Sequence, residues 1–443
     1  MLYDNLNVNE KGHLSFAGYD TAELAEKYGT PLYLMDEDRI RSRVREYKSA
    51  FERYFPAGSV PEFASKAFCC KQIYRIMAEE GIDIDVVSPG EIYTAKTAGF
   101  PMEKSFFHGN NKTDGDIRLA IDSGVGYFVA DNTDELEALE QIAGEKGVKQ
   151  RILLRVTPGI DPHTHKKIST GSVESKFGIS IETGQAFEVV KSVLAKKNII
   201  LCGFHCHIGS QIFESSPFGT ALEIMLEFIK KVKDELGFAP DMLNLGGGFG
   251  VRYTENDPEI DYTARIREVS EIINLRCEQM GLIVPKILME PGRSIVADSG
   301  ITLYTVGGVK EITGYKNYVS IDGGMTDNPR YTLYESEYTV ILASRAAAKP
   351  DFTATVAGRC CESGDLIGED FKLPKPRRGE ILAVLTTGAY NYSMASNYNR
   401  IGRPPVVMLN RNCDYVAVER ESLEDMCRLD KEISGLCRSA AFP

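Results

Sequence analysis

Three short segments contain residue types that could act together in one reaction. Lys66 lies among apolar neighbours in FASKAF (63–68), glycines cluster in GGGFG (246–250), and EPGR (290–293) combines a carboxylate with a guanidinium. Burial lowers the pKa of a lysine from ~10.4 towards the range in which its amine is a nucleophile. Clustered glycines let backbone amides approach an anion, and an arginine fork binds phosphate or carboxylate. Together the segments predict a phosphorylated ligand beside a reactive lysine.

Each of these signals has a plainer interpretation when it is taken alone. A glycine cluster is as often only a tight turn, and a lysine at a strand end usually extends to solvent. In combination, a buried Lys66 beside a phosphate cradle favours a Schiff base to pyridoxal 5'-phosphate, whose ring nitrogen needs an acidic partner. Glu290 is placed to be that partner, because a neighbouring carboxylate keeps the ring nitrogen protonated.

Two histidine pairs, His163/His165 and His205/His207, raise the alternative of a metal site. Residues two apart in a strand face the same side, so His205 and His207 could reach one ion. A zinc hydrolase would need further ligands on other strands, and the sequence offers no carboxylate in a clear bridging position. We therefore predict no metal and interpret His207 as an imidazole that lies on the cofactor ring.

An alternation of apolar runs and helical segments must position these residues. Eight apolar runs predict strands at Val60–Ala64, Ile82–Val87, Ser105–His108, Tyr127–Ala130, Ile152–Val156, Ile199–Cys206, Met242–Leu245 and Ile287–Met289, with helices between them such as Lys71–Glu80, Thr133–Glu145, Thr220–Leu236 and Tyr262–Met280. An open doubly wound sheet would give the same local signals. Polar or glycine residues follow strand after strand, however, and only a closed barrel gathers all the strand ends on one face. The predicted fold class is therefore α/β, with a TIM-like (β/α)8 barrel.

The pattern changes after about residue 298 to short runs bounded by turn residues, without long helices. These runs predict strands at Ile301–Lys310, Tyr318–Asp322, Thr353–Gly358, Ile381–Leu385 and Val406–Leu409. We predict a cofactor-binding barrel domain over residues 26–297, followed by an all-β C-terminal domain. Residues 1–25 are expected to join residues 298–443 in this second, β-rich domain, which completes the active site.

Composition excludes several classes of partner. The 443 residues are 43% hydrophobic and 26% charged, which is typical of a folded globular protein. With 51 basic and 63 acidic residues the net charge is −12, the wrong sign for a nucleic-acid binder. No run of about 18 apolar residues predicts a membrane span, and the first residues lack the pattern of a signal peptide. We expect a cytoplasmic protein whose ten cysteines are free thiols.

The motifs themselves resemble those of the meso-diaminopimelate decarboxylases, within the alanine-racemase-like barrel group of pyridoxal phosphate enzymes. The matching strings are ASKAF (64–68), DVVSPGE (85–91), HGNNKT (108–113), HTHKKISTG with SKFG (163–178), HIGSQ (207–211), GGGFG (246–250), EPGR (290–293), CESGD (361–365) and GAYNYSMASNYN (388–399). They occur in the order of the family and span nearly the whole chain. Any single string is weak evidence, but their joint chance occurrence is negligible.

The resemblance implies roles for individual residues. Lys66 resembles the lysine that binds the cofactor covalently, His207 the residue stacked on the ring and Glu290 the partner of the ring nitrogen. The residues implied around the phosphate or the substrate are Ser210, Gly247, Gly248, Gly292, Arg293 and Tyr390. The family also implies a homodimer, in which Cys361 and Glu362 reach the active site from the partner subunit and Cys361 is the acid that protonates the product.

The implied reaction is the decarboxylation of meso-2,6-diaminopimelate to L-lysine and CO2. Arg330 and Tyr334 resemble the family's clamp for the distal carboxylate, and Glu362 its partner for the distal ammonium. Phe68 departs from the family, since many members have asparagine there. The alternatives are a related decarboxylase of ornithine, arginine or carboxynorspermidine, a pyridoxal-phosphate-binding barrel without catalysis, and a metal hydrolase.

Overall fold

Two large sheets organise the chain, in a computed structural model that describes residues 1–159, 175–214 and 216–431. The N-terminal segment contains β1 (Leu6–Val8), β2 (Leu14–Phe16), β3 (Tyr19–Asp20), α1 (Thr21–Tyr28) and β4 (Leu32–Asp36). The first three strands form a small antiparallel sheet of their own. β4 belongs to the second large sheet, described below.

Eight parallel strands of the described residues close a barrel. The elements of this region are α2 (Glu37–Tyr54), β5 (Val60–Ala64), α3 (Lys71–Glu80), β6 (Asp83–Val86), α4 (Pro89–Ala98), β7 (Ser105–Phe107), α5 (Asp114–Ser123), β8 (Tyr127–Ala130), α6 (Thr133–Lys146), β9 (Gln150–Thr157), β10 (Ile179–Ser180), α7 (Gln185–Leu194), β11 (Ile199–His205), α8 (Ser216–Leu236), β12 (Met242–Asn244), α9 (Tyr262–Met280), β13 (Lys286–Met289) and α10 (Arg293–Val296). β5 pairs with β13 and β6, and β8 pairs with β9, so the circle is complete. The predicted barrel is confirmed, and α3 and α9 span the residues expected.

Local signals in the sequence explain where the barrel helices begin and end. The Ser88 side chain accepts a hydrogen bond from the Glu91 amide and Pro89 follows it, which starts α4. α3 and α9 end at Gly81 and Gly281, each with a left-handed backbone that glycine adopts without a steric penalty. These stops keep each helix short enough to return the chain to the next strand.

The second large sheet is mostly antiparallel. Its remaining elements are β14 (Gly300–Glu311), β15 (Asn317–Ile321), α11 (Arg330–Tyr334), β16 (Val340–Ile341), β17 (Phe352–Ala357), β18 (Leu366–Leu373), β19 (Ile381–Val384), β20 (Val406–Leu409), β21 (Asp414–Val418) and α12 (Leu423–Cys427). The strand order is β18-β17-β15-β14-β4-β20-β21, and β19 pairs with β14. The five predicted strands of this region are confirmed, while β16, β18 and β21 were not predicted. The domain boundaries stay a prediction, and the pairing of β4 here favours moving the first one beyond Asp36.

The interior of the barrel has an apolar floor. Phe106 and Tyr127 stack with ring centroids 4.5 Å apart, and Leu153 and Leu288 pack beside them. These side chains form a packed apolar layer at this end of the barrel. Among the described residues, no helix combines the length and the apolar character that crossing a membrane would require.

Candidate functional site

A cavity of about 530 Å³ lies at the carboxyl ends of the barrel strands. Its lining combines barrel residues with residues of the β-rich region: Ala64, Lys66, Val87, His108, Gly109, Asn110, Arg155, Phe177, His205, His207, Ser210, Gly248, Glu290, Gly292, Arg293, Arg330, Tyr334, Tyr390 and Met394. Most of the predicted site residues are therefore brought together in one chain. This is the end of the barrel at which such enzymes carry their active sites.

Lys66 lies on a single helical turn, Ser65–Ala67, directly after β5. Burial alone lowers the pKa of Lys66, but the negative charges of Asp85 and Glu290 outweigh this effect, so the pKa is raised. The predicted lowering of the Lys66 pKa is therefore wrong, because the sequence does not show which carboxylates lie near the lysine. The position of Lys66 on the cavity wall agrees with the prediction.

Glu290 follows β13 and lies against two histidines. Its Oε1 is 2.8 Å from His205 Nε2 and 3.5 Å from His108 Nε2. Burial opposes ionisation of the carboxyl, but the imidazoles outweigh it and hold the pKa of Glu290 well below its usual range. Burial and the charge of Glu290 instead raise the pKa of Glu62, so that the more distant carboxyl is the protonated one. Of these two glutamates, Glu290 is thus the ionised one at the top of the barrel.

The glycine cluster brings backbone close to backbone beside His207. The Gly247 amide donates to His207 Nδ1 at 3.1 Å, which fixes the ring with its Nε2 protonated, and burial lowers the pKa of His207 well below the usual value. Gly248 has φ +112°, and a Cβ there would lie 2.4 Å from the Gly209 carbonyl oxygen. A side chain at Gly248 is excluded, so the loop can lie directly against Gly209.

Arg293 lies at the same end of the cavity and is 6% exposed. Its guanidinium donates to Ser210 Oγ at 2.9 Å and to the Tyr253 hydroxyl at 2.7 Å, and lies 4.7 Å from the centre of the Tyr390 ring. A Cβ on Gly292 would meet Ala64 Cβ at 2.7 Å, so glycine is needed where β5 and the EPGR turn meet. Donors for an anion and an aromatic wall are thus joined at one place.

A second buried guanidinium enters the cavity from the β-rich region. Arg330 begins α11, is 6% exposed, and lies 5.3 Å from the ring centre of Tyr334 and 5.6 Å from that of Tyr390. It donates to Ser336 Oγ at 3.3 Å, while its Nε has no hydrogen-bond partner in the described structure. Arg293 and Arg330 both contact the Tyr390 ring, so the cavity contains two cationic ends.

Cys361 and Glu362 are exposed, and the described residues that line the cavity do not include them. Their loop is fixed from below by the Asp365 carboxylate, which accepts from the Met325 amide at 2.6 Å and the Cys360 amide at 2.7 Å. The backbone of this loop is therefore held in place, and its Cys361 and Glu362 do not line the cavity of their own chain.

The metal hypothesis can be tested on the described residues. His163 and His165 lie outside them, and His205 is grouped with His108 and Glu290, whose ligand atoms lie within 4.8 Å of one another. Ligands bound to one tetrahedral zinc at 2.0–2.1 Å would be about 3.3 Å apart. The 2.8 Å between His205 and Glu290 is instead a hydrogen-bond distance, so the group fits an oriented carboxylate better than a metal site.

The sequence analysis missed Asp85 and His108, which face the barrel interior near Lys66 and Glu290. The sequence does contain a signal for these two residues, because residues two apart on a strand face the same side of the barrel. Asp85 lies between the outward-facing Ile84 and Val86, and His108 is two residues after Phe106.

Comparison with known proteins identifies the class first. Residues 37–297 match the family model described as "Pyridoxal-dependent decarboxylase, pyridoxal binding domain". The fold and the cavity are therefore those of a pyridoxal-dependent decarboxylase barrel, and the predicted cofactor is confirmed at this level.

The chain belongs to the diaminopimelate decarboxylase family. It is 47% identical to the diaminopimelate decarboxylase of Halalkalibacterium halodurans over 423 residues, 96% of each chain, and 44% identical to that of Bacillus subtilis over 431 residues, 97% of this chain and 98% of the relative. The crystal structure of the M. jannaschii diaminopimelate decarboxylase in complex with L-lysine superposes with a TM-score of 0.89 at 34% identity, covering 98% of this chain and 99% of the other. The resemblance noted from the motifs is confirmed.

Proposed function

We propose that this chain removes one carboxyl group of meso-2,6-diaminopimelate, giving L-lysine and CO2, with pyridoxal phosphate bound at Lys66. The observation that carries the proposal is the pair of buried guanidinium groups on Arg293 and Arg330, which contact the same Tyr390 ring inside one cavity. One cation suits the cofactor phosphate, and the other suits the distal carboxylate of a long amino acid.

The cavity fits the cofactor on three independent points. Lys66 lines it, Glu290 offers a buried carboxylate on its wall, and Arg293 with Ser210 offers anion donors. When bound, pyridoxal phosphate supplies an electron sink for the electron pair left by the departing CO2.

Each residue then has one task. Lys66 would hold the cofactor covalently, His207 would contact its ring, and Glu290 would keep its ring nitrogen protonated. The anion donors and the close-packed turns hold the phosphate end: Ser210, Gly247, Gly248, Gly292, Arg293 and Tyr390. The Arg293 guanidinium packs on the Tyr390 ring, which restricts its orientation at this end.

At the far end, Arg330 and Tyr334 bind the distal carboxylate of the substrate. Ornithine or arginine would leave Arg330 facing no anion in a largely buried position, which costs about 3–5 kcal/mol for an unpaired buried charge. In a homodimer, Glu362 of the partner subunit would bind the distal ammonium, and the partner's Cys361 would be the acid that supplies a proton to the carbon from which CO2 departs. This completes a homodimer with composite active sites.

The proposal of a dimer is supported by Cys361, which is exposed, is held by a hydrogen bond from its amide to Asn399, and does not line the cavity of its own chain. Lys66→Ala and Cys361→Ala are each expected to be inactive. Mixing them under subunit exchange restores activity, because a heterodimer contains one intact composite site. No recovered activity in verified heterodimers would contradict the shared site.

We also propose a cytoplasmic location. The nine described cysteines that could report on it are free thiols, the state maintained in a reducing compartment. Biotin-maleimide labelling of the protein from fractionated cells checks the state and the compartment together.

The substrate assignment is tested by CO2 release from diaminopimelate, ornithine, arginine and carboxynorspermidine under one set of conditions. Diaminopimelate is expected to have the highest kcat/KM by more than a hundredfold over ornithine. A better turnover of ornithine or arginine would make the chain a related decarboxylase, whereas cofactor binding without turnover of any substrate would make it a binding protein.

A further inference from the structure

Two imidazoles converge on a single oxygen atom of Glu290. His205 ends β11 and His108 directly follows β7, so the three residues come from three separate strand ends. The two rings meet edge to face with centroids 5.0 Å apart, and Nε2 of each ring lies near Glu290 Oε1, at 2.8 Å in His205 and 3.5 Å in His108. Each ring therefore restricts the orientation of the other.

The hydrogen-bonding needs of these atoms match one another. Glu290 Oε1, His205 Nε2 and His108 Nε2 are buried, and none has a hydrogen-bond partner of acceptable geometry in the described parts of the chain. A buried polar atom without a partner costs about 1–3 kcal/mol. At these distances, a small rotation of each ring lets its Nε2–H donate to Glu290 Oε1 and removes this cost. The second carboxylate oxygen of Glu290 is then left for a ligand.

We propose that His205, assisted by His108, is a positioning residue that orients Glu290 and keeps it ionised, so that Glu290 can hold a proton on the ring nitrogen of the cofactor. The inference rests on the proposed function for the role of Glu290. His205 acts through Glu290 alone and is not itself a catalytic residue.

The other charged groups around Glu290 do not replace this support. Those that face it from the surrounding elements are Glu62, Lys66, Asp85, Arg155, Cys206 and His207. Glu62 is held protonated by burial, and the thiol of Cys206 is held protonated because burial raises its pKa to about 12. Lys66 is occupied once the cofactor is attached, and His207 Nδ1 already accepts from Gly247. His205 remains the nearest donor.

The test uses the whole protein loaded with pyridoxal phosphate labelled with 15N at the ring. The 15N chemical shift reports directly on protonation of the ring nitrogen and needs no substrate. His205→Leu removes the donor, His205→Asn keeps a donor, and His13→Asn is the matched control, since His13 pairs with Asp20 in the N-terminal sheet, away from the cavity.

We expect the wild type and His13→Asn to keep the ring nitrogen protonated at pH 7. In His205→Leu the midpoint of its titration falls by about one pH unit, a tenfold loss of proton affinity, and kcat falls 10–100-fold with KM nearly unchanged. His205→Asn recovers most of the shift, which a purely structural role would not predict.

An unchanged 15N titration in folded, loaded His205→Leu overturns the proposal. Should that variant not fold, His108→Leu is expected to show the same direction with a smaller shift, and no shift there overturns the proposal equally. The outcome is separable from the substrate assignment. Wild-type protein that titrates as expected but releases no CO2 from diaminopimelate would contradict the assigned reaction and leave the role of His205 supported.

Discussion

The floor and the top of the barrel are built from the same strands but from opposite kinds of residue. β7 places Phe106 at the floor and is followed by His108 at the top, and β13 places Leu288 at the floor and is followed by Glu290. Residues two apart on a strand face the same side, so the residue at the floor and the residue at the top both face the barrel interior. The floor supplies apolar packing, and the top supplies charge two residues further on.

The two layers make opposite contributions to stability. Floor side chains lose contact with water and gain dispersion contacts. At the top, both carboxylate oxygens of Asp85 and Oε2 of Glu62 are buried without a hydrogen-bond partner in the described structure. Unpartnered polar groups are costly, and real proteins accept such local cost mainly at functional sites. Substitutions at the floor should therefore mainly lower stability, and substitutions at the top should mainly lower activity.

The strongest test of the top layer is Lys66→Ala, which removes the covalent attachment of the cofactor. Turnover is expected to fall by several orders of magnitude, while the fold and the thermal unfolding temperature change little. Assay of CO2 release with circular dichroism checks both. Lys71→Ala, at the exposed start of α3, is the matched control and should keep full activity.

Borohydride reduction followed by peptide mapping identifies the attached lysine independently of activity. A pyridoxyl group on Lys71 or Lys112 in the wild type would contradict the assignment. Lys112 is already committed to an ion pair with Glu135 at 2.8 Å and to two backbone carbonyls, which argues against it.

Much of this organisation could be predicted from the sequence because strand ends are marked locally. Apolar runs followed by glycine or polar residues located all eight barrel strands, and with them Lys66, His207, Glu290 and Arg293. The motifs of the β-rich region located Arg330 and Tyr390 only through the family resemblance, since no period or spacing connects them to the barrel.

The remainder depended on contacts between distant parts of the chain. β18 reads LIGEDFKL, with charged residues in its middle, because it is the edge of its sheet and exposes that stretch. The raised pKa of Lys66 depends on Asp85, which lies 19 residues away in a run that looks like any amphipathic strand. Which charged side chains lie next to one another at the top of the barrel is decided by the tertiary fold, so composition and periodicity could not predict it.

Arg330→Ala tests the part of the cavity that the β-rich region contributes, above the top layer of the barrel. We expect kcat/KM for diaminopimelate to fall about a hundredfold, because the distal carboxylate loses its buried cation, while the value for ornithine changes little. Arg345→Ala, whose side chain pairs with Glu380 at 2.6 Å, is the control. Equal losses for both substrates would show that Arg330 supports the fold and does not select the distal group.

Leu153→Ala tests the floor. Leu153 is fully buried between Phe106 and the neighbouring strands, so truncation leaves a cavity and should lower the free energy of unfolding by about 2–5 kcal/mol. The folded fraction should retain its kcat, since no floor residue lines the active-site cavity among the described residues. Denaturant unfolding and a CO2 assay below the transition measure the two effects. Leu119→Ala, on the exposed face of α5, should change neither.

The smallest effect is expected where the layers meet, at Glu62. Glu62 is fully buried, accepts from the Asn244 side-chain amide at 3.1 Å, and has a pKa raised well above its usual value by burial and by the charge of Glu290. A carboxyl with a folded pKa above its unfolded value binds a proton more tightly when folded, so stability falls as pH rises from the unfolded pKa of ~4.3 towards the folded one.

Glu62→Gln removes this proton uptake and keeps the shape of the side chain. It should therefore match the wild type near pH 4 and become the more stable of the two as the pH rises towards neutral. Thermal unfolding of both proteins from pH 4 to 7 measures the gap, with exposed Glu103→Gln as the control. A gap that reverses, with the wild type gaining over the glutamine variant as pH rises, would show that Glu62 is ionised in the folded protein and that burial does not hold its proton.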